Sequence, residues 1–380
     1  MDLPPLVYLT FDSVREGVGA SQVLPYIEGL AARGVAVTLH SYEKEAPDPD
    51  TVRKLRGKGV RWVARTFGRP GSAGGALRVL RGIPLVRGAN LVHARSDLPA
   101  ASAMLARVPR WVWDVRSLWA DQRIALGDLA PGSAAERILR RVEAAAARRS
   151  AGIVTLTGAA VEVLAERHGE SIRDKAEVIT TCVDLARFAP APLPEGDEVR
   201  LLFSGTLNAF YDLPAMLRLA ERLRARRPVE VLVATPGSTA WDGVLAGAGV
   251  TRRAVGPQEM ASLVASVHAG LSVCRLDAGI SLRAAMPTKI AEFLAAGRPV
   301  VVNRGLGDLD ELLPPARAGV VVGSVDDDGL DEAAGRLQSL LEDPETPERC
   351  RTLAERHFSL DRGIDRLVSL YRRLAGRSSR

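Results

Sequence analysis

The 380-residue sequence predicts an α/β protein of two successive domains, each with an open parallel sheet. Three observations carry this. Short apolar runs alternate with amphipathic stretches from Leu6 onward, and the alternation breaks at a proline-bearing segment, Leu185 to Glu195. A fresh series then starts at Val199. The length also exceeds what one core comfortably serves.

In the first series, Leu6–Phe11 reads as a strand and Val23, Leu24, Ile27, Leu30 and Ala31 as the stripe of the following helix. Gly34 ends that helix, and Val35–His40 is the second strand. Between the first strand and its helix, Gly17 and Gly19 lie in Arg15–Gln22, where bare backbone at a helix start would let a ligand approach. The spacing lacks the third glycine of a dinucleotide fingerprint, so NAD is discounted. Val60–Val63 and Asn90–Ser96 are further strands, with His93 near the C-terminal end of the latter. Trp111–Arg116 repeats the arrangement with Asp114 and Arg116. Open α/β sheets bind ligands at those ends, so His93, Asp114 and Arg116 are expected to share a crevice. Gly152–Thr157 and Glu177–Asp184 complete the series.

The second series runs through Val199–Thr206, Val229–Ala234, Arg253–Val255 and Gly270–Val273 to its most informative stretch, Met286–Val302. Pro287 suits a first helical turn, and Gly297 with Pro299 stops the helix, which is expected over 287–296. Ile290, Phe293 and Leu294 form its buried stripe. Lys289 and Glu292 lie off that stripe, so a phosphate would meet the helix N-terminus and Lys289, and a sugar hydroxyl would meet Glu292. The alternative is a solvated i,i+3 pair. The chain holds only 5 Lys among 51 basic residues, which makes a lysine here look selected. Ile364, Leu367, Val368, Tyr371 and Leu374 mark a C-terminal amphipathic helix.

Hydrophobic residues at 47% and charged residues at 25% describe an ordinary globular chain. The N-terminus lacks a signal-type pattern, and no apolar run approaches the ~18 residues of a spanning helix. Cys182, Cys274 and Cys350 are odd in number and scattered, fitting neither a disulfide framework nor a zinc site. A cytoplasmic setting is expected. The charge is uneven: residues 1–184 hold 26 Lys+Arg against 20 Asp+Glu, while 185–380 hold 25 of each. From Arg53 to Arg123 there are 15 basic residues and only three acids. With no aromatic-interleaved basic motif, nucleic acid is not expected; an anionic acceptor or membrane face is. Arg65, Arg69, Arg78, Arg81 and Arg87, beside Leu77, Val79, Leu80, Ile83, Leu85 and Val86, are its candidate residues.

Five pieces in order resemble the retaining, GT-B-fold glycosyltransferases of glycosyltransferase family 4. They are Gly17–Tyr26, His93–Ser96, Asp114–Asp121, Val178–Asp184 and Pro287–Val301. The resemblance implies two Rossmann-like domains facing a central cleft, over residues 1–186 and 187–357, with a helix in 358–380 crossing back to the first. It implies a nucleotide diphosphate sugar as donor and a hydroxyl acceptor, in polysaccharide or glycolipid assembly, with no metal or other cofactor. By position, Glu292 matches the carboxylate that holds the ribose, and Gly205, Thr206, Pro287, Thr288 and Lys289 line the donor side. His93 and the Gly17–Gly19 loop would line the transfer site. Two departures stand out: Ala284 replaces the first Glu of the family's paired carboxylates, and no Arg or Lys follows Gly205. Arg275 or Arg283 is then expected to supplement Lys289. A nucleotide-sugar epimerase on the same fold, or a degenerate nucleotide-binding subunit, are the rival readings.

Overall fold

The computed structural model describes residues 3–68, 70–237, 239 and 241–376. It forms two compact units: the chain up to Thr180 together with the segment from Leu360 onward, and Thr181–Ser359.

The first unit contains β1 (Leu6–Leu9), β2 (Val37–Glu43), β3 (Val60–Thr66), β4 (Leu91–Arg95), β5 (Trp111–Val115), β6 (Gly152–Thr155) and β7 (Ala176–Val178). They make one parallel sheet in the order β3-β2-β1-β4-β5-β6-β7. The order reverses between β1 and β4, and the crevice beyond their C-terminal ends is the natural ligand position. β2 runs three residues past the predicted His40, because Ser41, Tyr42 and Glu43 are buried and continue the pairing with β3. The helix Leu360–Gly376 belongs to this unit. Its Ile364 lies so close to Gly29 that an added Cβ there would fall 2.1 Å from Ile364 Cδ1.

The second unit repeats the plan with β8 (Val199–Ser204), β9 (Val229–Ala234), β10 (Thr251–Arg253), β11 (Ala269–Ser272), β12 (Val300–Asn303) and β13 (Gly319–Val322). Its order, β10-β9-β8-β11-β12-β13, reverses between β8 and β11. The helix Thr288–Ala295 follows β11, and Ile290, Phe293 and Leu294 are fully buried, about 1.5–3 kcal/mol for each side chain. Pro287 is its N-cap rather than its first residue.

The first unit closes at Thr180, ahead of the predicted 186/187 boundary. Thr181 Oγ1 donates to Met286 O at 3.0 Å, and Val183 N–H donates to Phe358 O at 2.8 Å, so this stretch packs with the second unit. The proline-bearing segment that follows is tied down. Fully buried Arg298 donates to Ala191 O, Pro192 O and Ala265 O at 2.7–3.0 Å. Arg351 Nη1 donates to Leu185 O, Phe188 O and Ala295 O at 3.0–3.2 Å.

Candidate functional site

In the first unit, β4 and β5 deliver His93, Arg95 and Asp114 to the reversal point, and all three are buried. His93 Nε2 lies 3.1 Å from Asp114 Oδ2, short enough for ion pairing, although the angles fall outside hydrogen-bond geometry. Its Nδ1 pairs with Tyr371 Oη of the C-terminal helix at 2.8 Å. The ring stacks on Tyr8 with centroids 4.5 Å apart. Asp114 also meets Arg95 Nη1 at 3.5 Å and Arg116 Nη1 at 3.2 Å, and Arg95 reaches Asp12 at 3.3 Å. Burial alone would raise the Asp114 carboxyl. The charge of Arg116, then His93 and Arg95, overcomes burial and holds it well below the usual carboxylate range. Tyr8, Gln22, Tyr26, Val154, Ile179 and Leu367 help enclose a cavity of about 10 Å³ here, room for roughly one water. His93, Arg95, Asp114 and Arg116 all line this cavity, and His93 itself is only 1% exposed.

Gly17 and Gly19 begin the helix Gly17–Gln22. What approaches Gly19 is the chain itself: an added Cβ would sit 1.8 Å from Ser13 O. Glu43, at the end of β2, fixes that neighbour by accepting from Val14 N–H at 3.1 Å and Ser13 Oγ at 2.6 Å. Gly19 therefore has a packing cause, whereas Gly17, at φ +53°, has open space around it.

In the second unit, Lys289 is 3% exposed and its Nζ has no hydrogen-bond acceptor. It stands 3.9 Å from the Phe203 ring centroid and 3.8 Å from that of Tyr211. Gly205, at φ +109°, leaves the room beside it: an added Cβ would lie 3.7 Å from Nζ. Two ring faces return about 2 kcal/mol or more to a desolvated cation. An unpaired buried charge costs more than that, so burial lowers the ammonium to about 7, against the opposing pull of Cys274 and Glu292. Burial likewise raises the half-buried Glu292 carboxyl to about 6, in spite of Arg187 and Lys289. Lys289 and Glu292 form no ion pair, unlike a solvated surface pair. Thr288 opens the helix, Pro287 caps it and Thr206 is exposed beyond β8.

Arg275 holds Asp277 through two bonds of 2.5–2.9 Å and Ala209 O at 3.3 Å. Arg283 is half-buried in the 3₁₀ segment Leu276–Ala284, and Ala284 is buried in the same segment. The aromatic neighbours of Lys289 were missed by sequence reasoning; the only hint was two aromatics flanking Gly205. Among the described residues, no three His, Cys, Asp or Glu side chains gather as metal ligands.

The basic segment is less of a surface than its composition suggests. Arg78 is buried over the Phe67 ring at 4.2 Å, and Arg95 and Arg116 belong to the cluster above. Val79 and Val86 are core residues. Arg65, Arg81, Arg87, Leu77 and Leu80 are exposed; Arg69 lies outside the described residues. No described helix is long and apolar enough to cross a membrane.

Two parallel sheets, each reversing beside its first strand and each carrying polar residues at the reversal, follow the plan of the GT-B fold. The Glycosyltransferase Family 4 model matches residues 20–187, and a Glycosyl transferase-like model matches 215–364. The two glycosyltransferase models fall on the first and second units in turn, and together they span most of the chain. No curated protein sequence matches it. Among solved structures, sucrose-phosphate synthase from Thermosynechococcus elongatus superposes with a TM-score of 0.73 at 16% identity, covering 99% of this chain and 100% of that one. A Rickettsia africae glycosyltransferase gives 0.72 at 13%, covering 100% of both. Anabaena HepE, in complex with UDP and glucose, gives 0.68 at 15%, covering 98% of both.

Proposed function

We propose that the chain transfers a sugar from a nucleotide diphosphate sugar, bound by the second unit, to a hydroxyl acceptor, with retention of configuration. The observation that carries this is Lys289, a buried amine without an acceptor at the first turn of the helix Thr288–Ala295. A diphosphate there meets Lys289 and the free N–H groups of that turn, and Glu292 accepts from the ribose. The leaving diphosphate takes the acceptor proton, and its charge is met by these groups without a metal. Uridine nucleotides are the first donors to try, since HepE was solved with UDP.

The acceptor side lies on the first unit, with polysaccharide or glycolipid assembly at the cytoplasmic membrane face as the setting. Exposed Leu77 and Leu80 beside Arg65, Arg81 and Arg87 support a peripheral, anionic-lipid-dependent contact, each charge contributing about 1 kcal/mol. Calorimetry tests the donor assignment: UDP should bind, and Glu292→Ala should weaken it by about 1.5–3 kcal/mol. Unchanged affinity in that variant removes Glu292 from the donor site. Anomeric analysis of the product by NMR decides retention.

A further inference from the structure

Among the described residues, no group accepts a hydrogen bond from Lys289 Nζ. β8 contributes the Phe203 ring, and the segment after it contributes Tyr211 and the Gly205 backbone. The residue after Val273 contributes the Cys274 thiol, which burial pushes up to about 12, so it is neutral. Tyr211 is likewise held well above its usual range by burial. On its own helix Glu292 is the one carboxylate, a turn away and not bonded to Nζ, and Arg187 draws on the same carboxylate. Lys175 gives the contrast within the same chain. It is also part-buried, yet its Nζ donates to Ala147 O, Arg148 O and Ser150 O.

We propose that Lys289 rests as a neutral amine in its aromatic enclosure and takes up one proton from solvent when a diphosphate enters, so that donor binding and protonation are a single coupled event. The inference rests on the donor reading above and adds its coupling to pH. The entering phosphate oxygens supply the acceptor that the enclosure lacks, turning a charge that costs free energy into a paired one. The ring faces then hold the ammonium against the ligand. Donor affinity should fall as pH rises past neutrality, by up to about tenfold per pH unit, until the bound-state titration is reached.

The chain has only 5 lysines, Lys44, Lys54, Lys58, Lys175 and Lys289, so the test is direct. The full chain is labelled with ¹³C-lysine, and the five side-chain resonances are followed by NMR from pH 5 to 11, with and without saturating UDP. Lys289→Met assigns the resonance, with Lys289→Arg as a second assignment should the first disturb the fold. In the free chain the Lys289 resonance should titrate near neutrality, well below the ordinary lysine range. UDP should raise its midpoint by two units or more, a hundredfold gain in proton affinity. Titration in the ordinary lysine range in the free chain overturns the coupling; if UDP still shifts the resonance, the donor assignment survives. UDP leaving the Lys289 resonance unmoved overturns both.

Discussion

The two units carry the same sheet plan and treat buried charge in opposite ways. At the β1/β4 reversal, Asp114 is surrounded by Arg95, Arg116 and His93; Asp12 holds Arg95 in turn, and Tyr371 holds His93. At the β8/β11 reversal, Lys289 is just as buried and has rings for neighbours. The first arrangement gives each of its charged groups an opposite charge within the chain. The second becomes complete only when a ligand brings an acceptor. Fully paired buried charges hold a site's shape, whereas an unpaired one holds free energy that binding can release.

Four substitutions break or sharpen this contrast. Asp114→Ala strips the buried Arg95 and the partly exposed Arg116 guanidinium groups of their shared anion and should cost about 3–5 kcal/mol. Because the folded carboxyl is depressed, its contribution is fully present above the unfolded value. It should be lost only as pH falls through the depressed folded value, so guanidinium denaturation should give the same loss at pH 5, 7 and 9. Lys289→Met should do the reverse and stabilise the chain, on the order of 3 kcal/mol below neutrality. The folded lysine titrates at about 7 and the unfolded one in the ordinary range. Unfolding therefore takes up a proton between those values, and the mutational gain should shrink toward zero as pH rises through that window. A gain independent of pH would mean that Lys289 titrates normally in the fold.

Gly205→Ala places a side chain at φ +109° beside Nζ and should cost about 1–3 kcal/mol, while weakening UDP binding in calorimetry. Tyr371→Phe removes one buried bond to His93 and should cost about 1 kcal/mol by thermal unfolding, leaving UDP affinity unchanged. A loss of UDP affinity there would mean that the first unit's cluster also serves the donor.

Local chemistry made the frame legible. Pro287, Gly297 and Pro299 punctuate one helix, and the strand-end positions of His93, Asp114 and Arg116 follow from short apolar runs. What periodicity cannot encode is which side chains meet across the fold. Tyr371 reaches His93 from 278 positions away, and no local pattern shows that contact. Arg78 looked like surface charge because composition counts cations without seeing the Phe67 ring over which this one lies. At Gly19 the sequence does not show Glu43 drawing Ser13 and Val14 against the backbone.

The strap formed by residues 185–192 bears on where the chain can be cut. Its prolines suggest a loose tether that a protease would find first, yet Arg298 and Arg351 between them grip four of its carbonyls. Trypsin at Arg187 must first peel the strap from those guanidinium groups, so limited digestion should spare this stretch while exposed arginines such as Arg61 or Arg107 remain candidates for early cleavage. A second unit expressed from residue 193 would lack the strap altogether. Arg298 would keep its bond to Ala265 O and lose its other two acceptors in a fully buried place, and such a fragment should need its N-terminus drawn back to Thr181 before it folds well.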